Sequence, residues 1–164
     1  MKKFFNIYNK VEEVVLISSL VFTVILIFIQ VIMRYVFNNS LSWSEELARY
    51  IFIWQIWMGA SVGIRMNEQI RVEIILKKLS IRNGKILDII AKVILFSFCI
   101  FLIYNGFELA MKVASRNALS SALRIPLHYV YLSLPVSAAI TSLRLVNQII
   151  DGWKSAFLIE GRET

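Results

Sequence analysis

The 164-residue sequence has very few of the residues that usually carry catalytic or metal chemistry. It contains one cysteine, Cys99, and one histidine, His128. A single cysteine excludes a disulfide within the chain, and a single histidine disfavours a membrane haem site, which commonly uses paired histidines. The sequence also contains no H-E-x-x-H pair, no glycine-rich phosphate loop and no nucleophile elbow. We therefore expect no enzyme activity, no cofactor and no metal site.

Charge is also scarce. Charged residues make up 18% of the chain and hydrophobic residues 58%, and the mean hydropathy is +0.67. A soluble domain of this length would have too little polar surface to cover so much apolar side chain. This composition predicts an all-α integral membrane protein that forms a single membrane domain over residues 1–164.

Four segments are long enough to cross a hydrocarbon core about 30 Å thick, which takes roughly 20 apolar residues in a helix. Backbone that faces lipid must satisfy its hydrogen bonds internally, so we expect each segment to be helical. Glu12 and Glu13 interrupt the basic start of the first segment, which favours a retained helix over a cleaved signal peptide. The predicted transmembrane helices cover about 14–36, 43–64, 86–110 and 126–150.

The distribution of lysine and arginine predicts the orientation of these helices. Arg34, Arg49, Lys112, Arg116 and Arg124 fall on one side, and Lys92 lies within the third segment. Twelve others fall on the side of both termini, and we expect that side to be cytoplasmic: Lys2, Lys3, Lys10, Arg65, Arg71, Lys77, Lys78, Arg82, Lys85, Arg144, Lys154 and Arg162. The net charge of +7 is then a topology signal, and we expect no nucleic-acid partner.

The connection between the second and third segments has an amphipathic pattern over about 69–80. Its apolar side chains recur at helical spacing, and Arg71, Lys77 and Lys78 flank them. This pattern predicts a short helix on the inner leaflet whose basic residues contact anionic lipid. The alternative is a plain solvated connector.

Small residues and prolines indicate where helices pack or bend. Gly59 and Gly63 have the G-x-x-x-G spacing that permits close helix approach, and we expect packing within the chain rather than dimerisation. Pro126 suits the first turn of the fourth helix, whereas Pro135 should kink that helix. Ser133, Ser137 and Thr141 recur every fourth residue and predict a small polar packing face.

Charges within the segments are few. Asp88 and Lys92 have the i,i+4 spacing of an ion pair, as do Glu108 and Lys112 and, at the start of the second segment, Glu45 and Arg49. None lies clearly at mid-depth, where transporters place their binding groups. The chain is therefore more typical of a scaffold than of a conduit. The alternatives are a self-contained oligomeric four-helix carrier or channel and an unrelated assembly protein.

Three stretches resemble one known family in both content and order: QVIMRYVFNNSLSWSEELARY, GASVGIRMNEQIRVEII and RIPLHYVYLSLPVSAAITSLRLV. The chain resembles the small, DctQ-like membrane subunit of tripartite ATP-independent periplasmic (TRAP) transporters over most of residues 30–146. Gln69 and Glu73 depart from the family pattern, which often has histidine and aspartate there.

The resemblance implies a bacterial inner-membrane protein with two partners. A large M-type membrane subunit would carry the substrate and sodium sites and move as an elevator, and a soluble periplasmic binding protein would deliver an organic acid such as a C4-dicarboxylate or sialic acid. The small subunit would brace the large one and contribute to docking through outer-face residues, for which we take Arg34, Glu45, Glu46 and Arg49. Arg34 also has a simpler interpretation, as an anchor that holds helix depth.

Overall fold

The computed structural model describes the backbone of residues 2–66 and 81–160, with side chains described for residues 7–66, 84, 86–150 and 152. The described residues form helices and no strands. The helices are α1 (Lys2–Tyr35), α2 (Ser42–Arg65), α3 (Ile81–Ser115), α4 (His128–Tyr131) and α5 (Ser133–Glu160).

Four stretches of these helices are long and apolar enough to cross a membrane: Ile7–Tyr35, Ser42–Arg65, Ile86–Ser115 and His128–Ile150. The predicted all-α fold with four transmembrane helices is therefore confirmed. The predicted amphipathic segment 69–80, with Arg71, Lys77 and Lys78, lies outside the described residues.

Three helices extend beyond the bounds that the sequence pattern indicated, and one of them is α5, which continues to Glu160 rather than ending near residue 150. α1 begins at Lys2 rather than near residue 14, and α3 extends from Ile81 to Ser115 rather than over 86–110. At 1.5 Å per residue, the 34 residues of α1 span about 51 Å, well beyond a hydrocarbon core of about 30 Å. A helix can continue beyond the lipid, because its backbone hydrogen bonds are internal and do not depend on the membrane. Hydropathy detects only the apolar part of such a helix, so it underestimates the helix length.

The chain divides into two compact units. Unit 1 comprises Met1–Ala60 and Phe107–Ser133, and unit 2 comprises Ser61–Gly106 and Leu134–Thr164. Within unit 1, α1 presents large apolar side chains outward: Ile17, Val24 and Phe28 are 63%, 61% and 65% exposed. In water such a surface would be strongly unfavourable, so it is a surface for lipid or for another membrane protein.

The fourth span does not begin at Pro126 as expected. Pro126 instead pairs with Leu119 in an isolated antiparallel bridge, and the helix starts at His128. The span is interrupted at Leu132, three residues before Pro135. Proline has no N–H to donate to the carbonyl of Tyr131 four residues earlier, so it is best accommodated in the first turn after a break.

Unit 2 contains a close helix contact at a glycine that the sequence pattern did not single out. A methyl group built on Gly106 would lie 3.1 Å from Leu134 Cδ2 and 3.1 Å from Pro135 Cδ. A methyl group built on Gly59 or Gly63 would have no described atom within 4 Å. The packing role that we expected for Gly59, Gly63 and Pro135 stays a prediction.

We predict opposite effects of alanine at these glycines. Gly106→Ala should lower the melting temperature of the purified protein, because the proline ring cannot move aside as a flexible side chain can, and overpacking typically costs about 1–3 kcal/mol. The matched control Gly59→Ala should be neutral or stabilising by up to about 1 kcal/mol, since alanine is the better helix former. Thermal unfolding in detergent measures both, and equal melting temperatures would contradict the assignment.

Candidate functional site

The most extensively hydrogen-bonded carboxylate described in unit 1 is that of Glu46, in the second turn of α2. Its side chain is buried. Oε1 accepts hydrogen bonds from the hydroxyl of Tyr50 at 2.6 Å and the backbone N–H of Ser121 at 3.1 Å. Oε2 accepts from the backbone N–H groups of Ala122 at 2.7 Å and Leu123 at 2.8 Å. One carboxylate thus satisfies three consecutive N–H groups of a distant part of the chain.

Those three N–H groups belong to the connection between α3 and α4, which we call the 116–127 loop. The loop folds back on itself: Ser120 N–H donates to Ile125 O at 2.9 Å, and Leu127 N–H donates to Ala118 O at 3.0 Å. The hydroxyl of Ser120 also accepts from Ile125 N–H at 3.2 Å. The N–H groups of the turn between these contacts point at Glu46. Consecutive N–H groups in a turn form a concave site that favours an anion.

Two residues of the 116–127 loop have left-handed backbone conformations, Asn117 with φ 47° and Arg124 with φ 54°. Asparagine tolerates this region well. Arginine does not, because its Cβ crowds the following carbonyl at a cost of about 1–2 kcal/mol. The hydrogen bonds on either side of Arg124 therefore hold it in a conformation that glycine would adopt more easily.

A second polar contact joins α1 to α2 in unit 1. The amide of Gln55 donates to Ser19 Oγ at 3.0 Å and to Thr23 Oγ1 at 3.3 Å. In a membrane, apolar burial does not drive helices together, so side-chain hydrogen bonds and close packing hold them instead. These bonds keep α1 in register with α2.

The remaining predicted residues of unit 1 lie near the start of α2. Glu45 receives a hydrogen bond from Gln30 at 3.3 Å and pairs with Arg49 at 3.7 Å, so the expected ion pair is formed. Arg34 lies one helical turn beyond Gln30, is exposed, and makes no ion pair with any described residue. Glu46, also predicted as a docking residue, has its carboxylate turned onto the 116–127 loop. Any direct partner contact of Glu46 stays a prediction.

Unit 2 contains a buried cation that sequence analysis had counted with the charges at the cytoplasmic end. Arg144 lies within the fourth span, is 9% exposed, and donates from Nη1 to Ser61 Oγ at 2.7 Å. One turn further on, Gln148 Nε2 donates to the carbonyl oxygen of Ile64 at 2.9 Å. Ser133, Ser137 and Thr141, which we expected to form a polar face of α5, are all buried. Arg144 and Gln148 continue this face along the helix. That periodicity was the signal that could have placed Arg144 inside the protein.

The other expected ion pairs are also formed. Lys92 Nζ lies 2.7 Å from Asp88 Oδ2, and Lys112 Nζ lies 2.5 Å from Glu108 Oε1.

An open groove of about 500 Å³ runs along unit 1 between α1 and α2. Its lining is largely apolar and includes Val11, Val15, Trp54 and Met58.

Long apolar spans and polar side chains that join the chain's own helices and loop define a multi-pass α-helical membrane protein. A family model described as the DctQ component of the tripartite ATP-independent periplasmic transporters matches residues 23–155, and the chain belongs to this family. It is therefore a component of a TRAP transporter and not an enzyme, and it resides in the bacterial inner membrane.

Individual relatives agree with this assignment. A Haemophilus influenzae protein described as a TRAP transporter small permease protein is 28% identical over 151 residues, which cover 92% of each chain. The isethionate TRAP transporter permease protein DctMQ of Oleidesulfovibrio alaskensis is 28% identical over 84% of this chain, and the match spans 23% of DctMQ. The sialic acid TRAP transporter permease protein SiaT of Haemophilus influenzae is 26% identical over 84% of this chain and 22% of its own.

We predict that Glu46 holds the 116–127 loop in place. Glu46→Ala should leave three backbone N–H groups without their protein acceptor, so the loop should lose the contact that holds it to α2. Glu46→Gln should have an intermediate effect, because it keeps one acceptor oxygen but places an NH₂ group against N–H donors. Tyr50→Phe is the matched control, since it removes the hydroxyl that binds the same carboxylate and contacts Ser120, and leaves the three backbone N–H bonds to Glu46 in place.

Amide hydrogen exchange of residues 118–127 in lipid nanodiscs measures the effect directly. Exchange should accelerate most in Glu46→Ala, less in Glu46→Gln and least in Tyr50→Phe. Wild-type exchange rates in Glu46→Ala would show that the loop does not depend on this carboxylate.

Proposed function

We propose that this protein is the small scaffold subunit of a sodium-coupled TRAP transporter for organic acids. In this role it braces a large M-type membrane subunit and helps to dock a soluble substrate-binding protein. The observation that carries the proposal is family membership over residues 23–155, combined with polar groups that are used for internal contacts.

The assembly with a large subunit is supported by the lengths of the relatives. DctMQ and SiaT each match most of this chain over less than a quarter of their own length. In those permeases a segment similar to this chain is thus part of a much longer polypeptide. A separate small subunit with the same role would need a partner that supplies the rest, and the exposed apolar side chains of α1 and α3 provide surface for it.

The scaffold role is supported by the way charges are used in the described spans. A carrier for carboxylates needs a cation or several polar groups that are accessible at mid-depth. Here Lys92 is paired with Asp88, and Arg144 is buried against Ser61. The groove along α1 and α2 has a largely apolar lining that offers a carboxylate little to bind.

The orientation and substrate class complete the proposal. The excess of lysine and arginine on the side of both termini favours cytoplasmic termini, which places the 116–127 loop and the turn between α1 and α2 on the periplasmic side. Relatives are described as transporting C4-dicarboxylates, isethionate and sialic acid, all of them organic anions. The basic segment 69–80 would then lie against the anionic inner leaflet.

Copurification and transport test the scaffold assignment together. The tagged subunit, expressed with the genes of its own transport system, should bring down a large multi-helix membrane protein. In liposomes the purified subunit alone should transport no organic acid, whereas the complex with the binding protein should do so in response to a sodium gradient. Sodium-dependent uptake by the subunit alone would overturn the proposal and establish a self-contained carrier.

Arg34 provides a test of docking. Arg34→Glu should reduce uptake strongly while the two membrane subunits copurify in normal amount, because like charges repel across the interface. Arg34→Lys should retain most activity, since a point charge suffices unless the contact is bidentate. Normal uptake by Arg34→Glu, or a loss explained entirely by failed assembly, would show that Arg34 only anchors helix depth.

A further inference from the structure

Arg124 occupies a position where the backbone would favour glycine. Its φ of 54° lies in the left-handed region, and its neighbours are fixed on both sides: Leu123 N–H is bound to Glu46, and Ile125 is bound to Ser120. The side chain itself is exposed and makes no ion pair with a described residue. A strained backbone that presents an unpaired charge is the kind of local conflict that functional sites retain.

The charges of unit 1 near the 116–127 loop do not balance. Three acidic residues are already engaged: Glu45 pairs with Arg49, Glu108 pairs with Lys112, and Glu46 binds the loop backbone. Three exposed arginines make no ion pair with any part of the chain that the structure describes: Arg34, Arg116 and Arg124. This end of unit 1 therefore carries excess positive charge on arginine, the side chain best suited to bidentate contact with carboxylates.

We propose that the 116–127 loop is a preformed docking element that binds an acidic patch on the soluble substrate-binding protein through Arg124 and Arg116. This inference rests on the proposed function and extends it from Arg34 to a second, structurally independent element. Glu46 fixes the loop before the partner arrives, so that docking loses little conformational entropy. Arg124 and Arg116 attract an acidic surface and set its register.

A soluble protein fits these observations better than anionic lipid does. Lipid headgroups are fluid and adapt to a flexible cationic segment, so they need neither a fixed loop nor a strained arginine. A folded protein with carboxylates at fixed positions gains from cations that are also held at fixed positions. The orientation proposed above places the 116–127 loop on the side from which such a protein approaches.

The experiment measures binding of the cognate substrate-binding protein to the complete membrane complex, held in nanodiscs of uncharged lipid. Arg124→Gly removes the charge and also relieves the left-handed backbone. It should raise the melting temperature or leave it unchanged, and should weaken binding about tenfold or more. Arg124→Lys should retain most of the affinity. Arg116→Gln should weaken binding further when combined with Arg124→Gly, and added salt should weaken wild-type binding more than that of the double variant.

Lys112→Gln is the matched control, because it removes one positive charge near the same loop from a residue already paired with Glu108. It should bind nearly as well as wild type. Arg124→Asn tolerates the left-handed backbone and serves as a second neutral variant if Arg124→Gly fails to fold.

The alternatives predict different results. Wild-type affinity in folded Arg124→Gly, with Arg34→Glu defective, would overturn the loop proposal and leave docking itself intact. Equal losses in Arg124→Gly and Lys112→Gln would overturn it in favour of general charge attraction. An Arg124 effect that appears only in nanodiscs with anionic lipid would establish a lipid contact instead. If the wild-type complex binds no soluble protein, the proposed function itself fails.

Discussion

The bond between Glu46 and the 116–127 loop is the contact on which the loop side of unit 1 depends. A buried carboxylate is unfavourable unless several donors surround it. Here three consecutive backbone N–H groups and the Tyr50 hydroxyl provide them. The carboxylate and the loop therefore stabilise each other, because the loop supplies three donors to the carboxylate and the carboxylate accepts from three consecutive N–H groups. Arg124 directly follows Leu123, the last of the three donors.

Polar contacts have the same function elsewhere in the protein. Gln55 joins α2 to α1 in unit 1, and Arg144 joins α5 to the end of α2 in unit 2. Lipid is as apolar as the side chains, so hydrophobicity can place these helices in the membrane but cannot choose their neighbours. Hydrogen bonds and the close contact at Gly106 make that choice. Much of the polar chemistry that the spans contain is thus used within the chain, which agrees with the proposed scaffold role.

The outward surface of the protein carries two kinds of exposed side chain, apolar residues and arginines. The apolar side chains of α1 that face outward suit lipid and membrane partners equally, so their contacts depend on the assembled transporter. The exposed arginines that have no carboxylate partner among the described residues are more selective. A positive charge held in a fixed position favours a partner with a carboxylate at the matching position. Membership of the DctQ family gives both surfaces a context, since in DctMQ the segment similar to this chain is part of a much longer permease.

Properties that depend on neighbours along the chain could be read from the sequence. Runs of about twenty apolar residues gave the four spans, i,i+4 spacing gave the pairs Glu45–Arg49, Asp88–Lys92 and Glu108–Lys112, and a four-residue period gave the buried face of α5. Contacts between distant residues could not be read in this way. Glu46 meets N–H groups 75 to 77 residues away, and Ser61 meets Arg144 83 residues away. No local pattern distinguishes a carboxylate that will bind a loop from one that will face a partner, because the difference lies in which donors the tertiary fold brings to it.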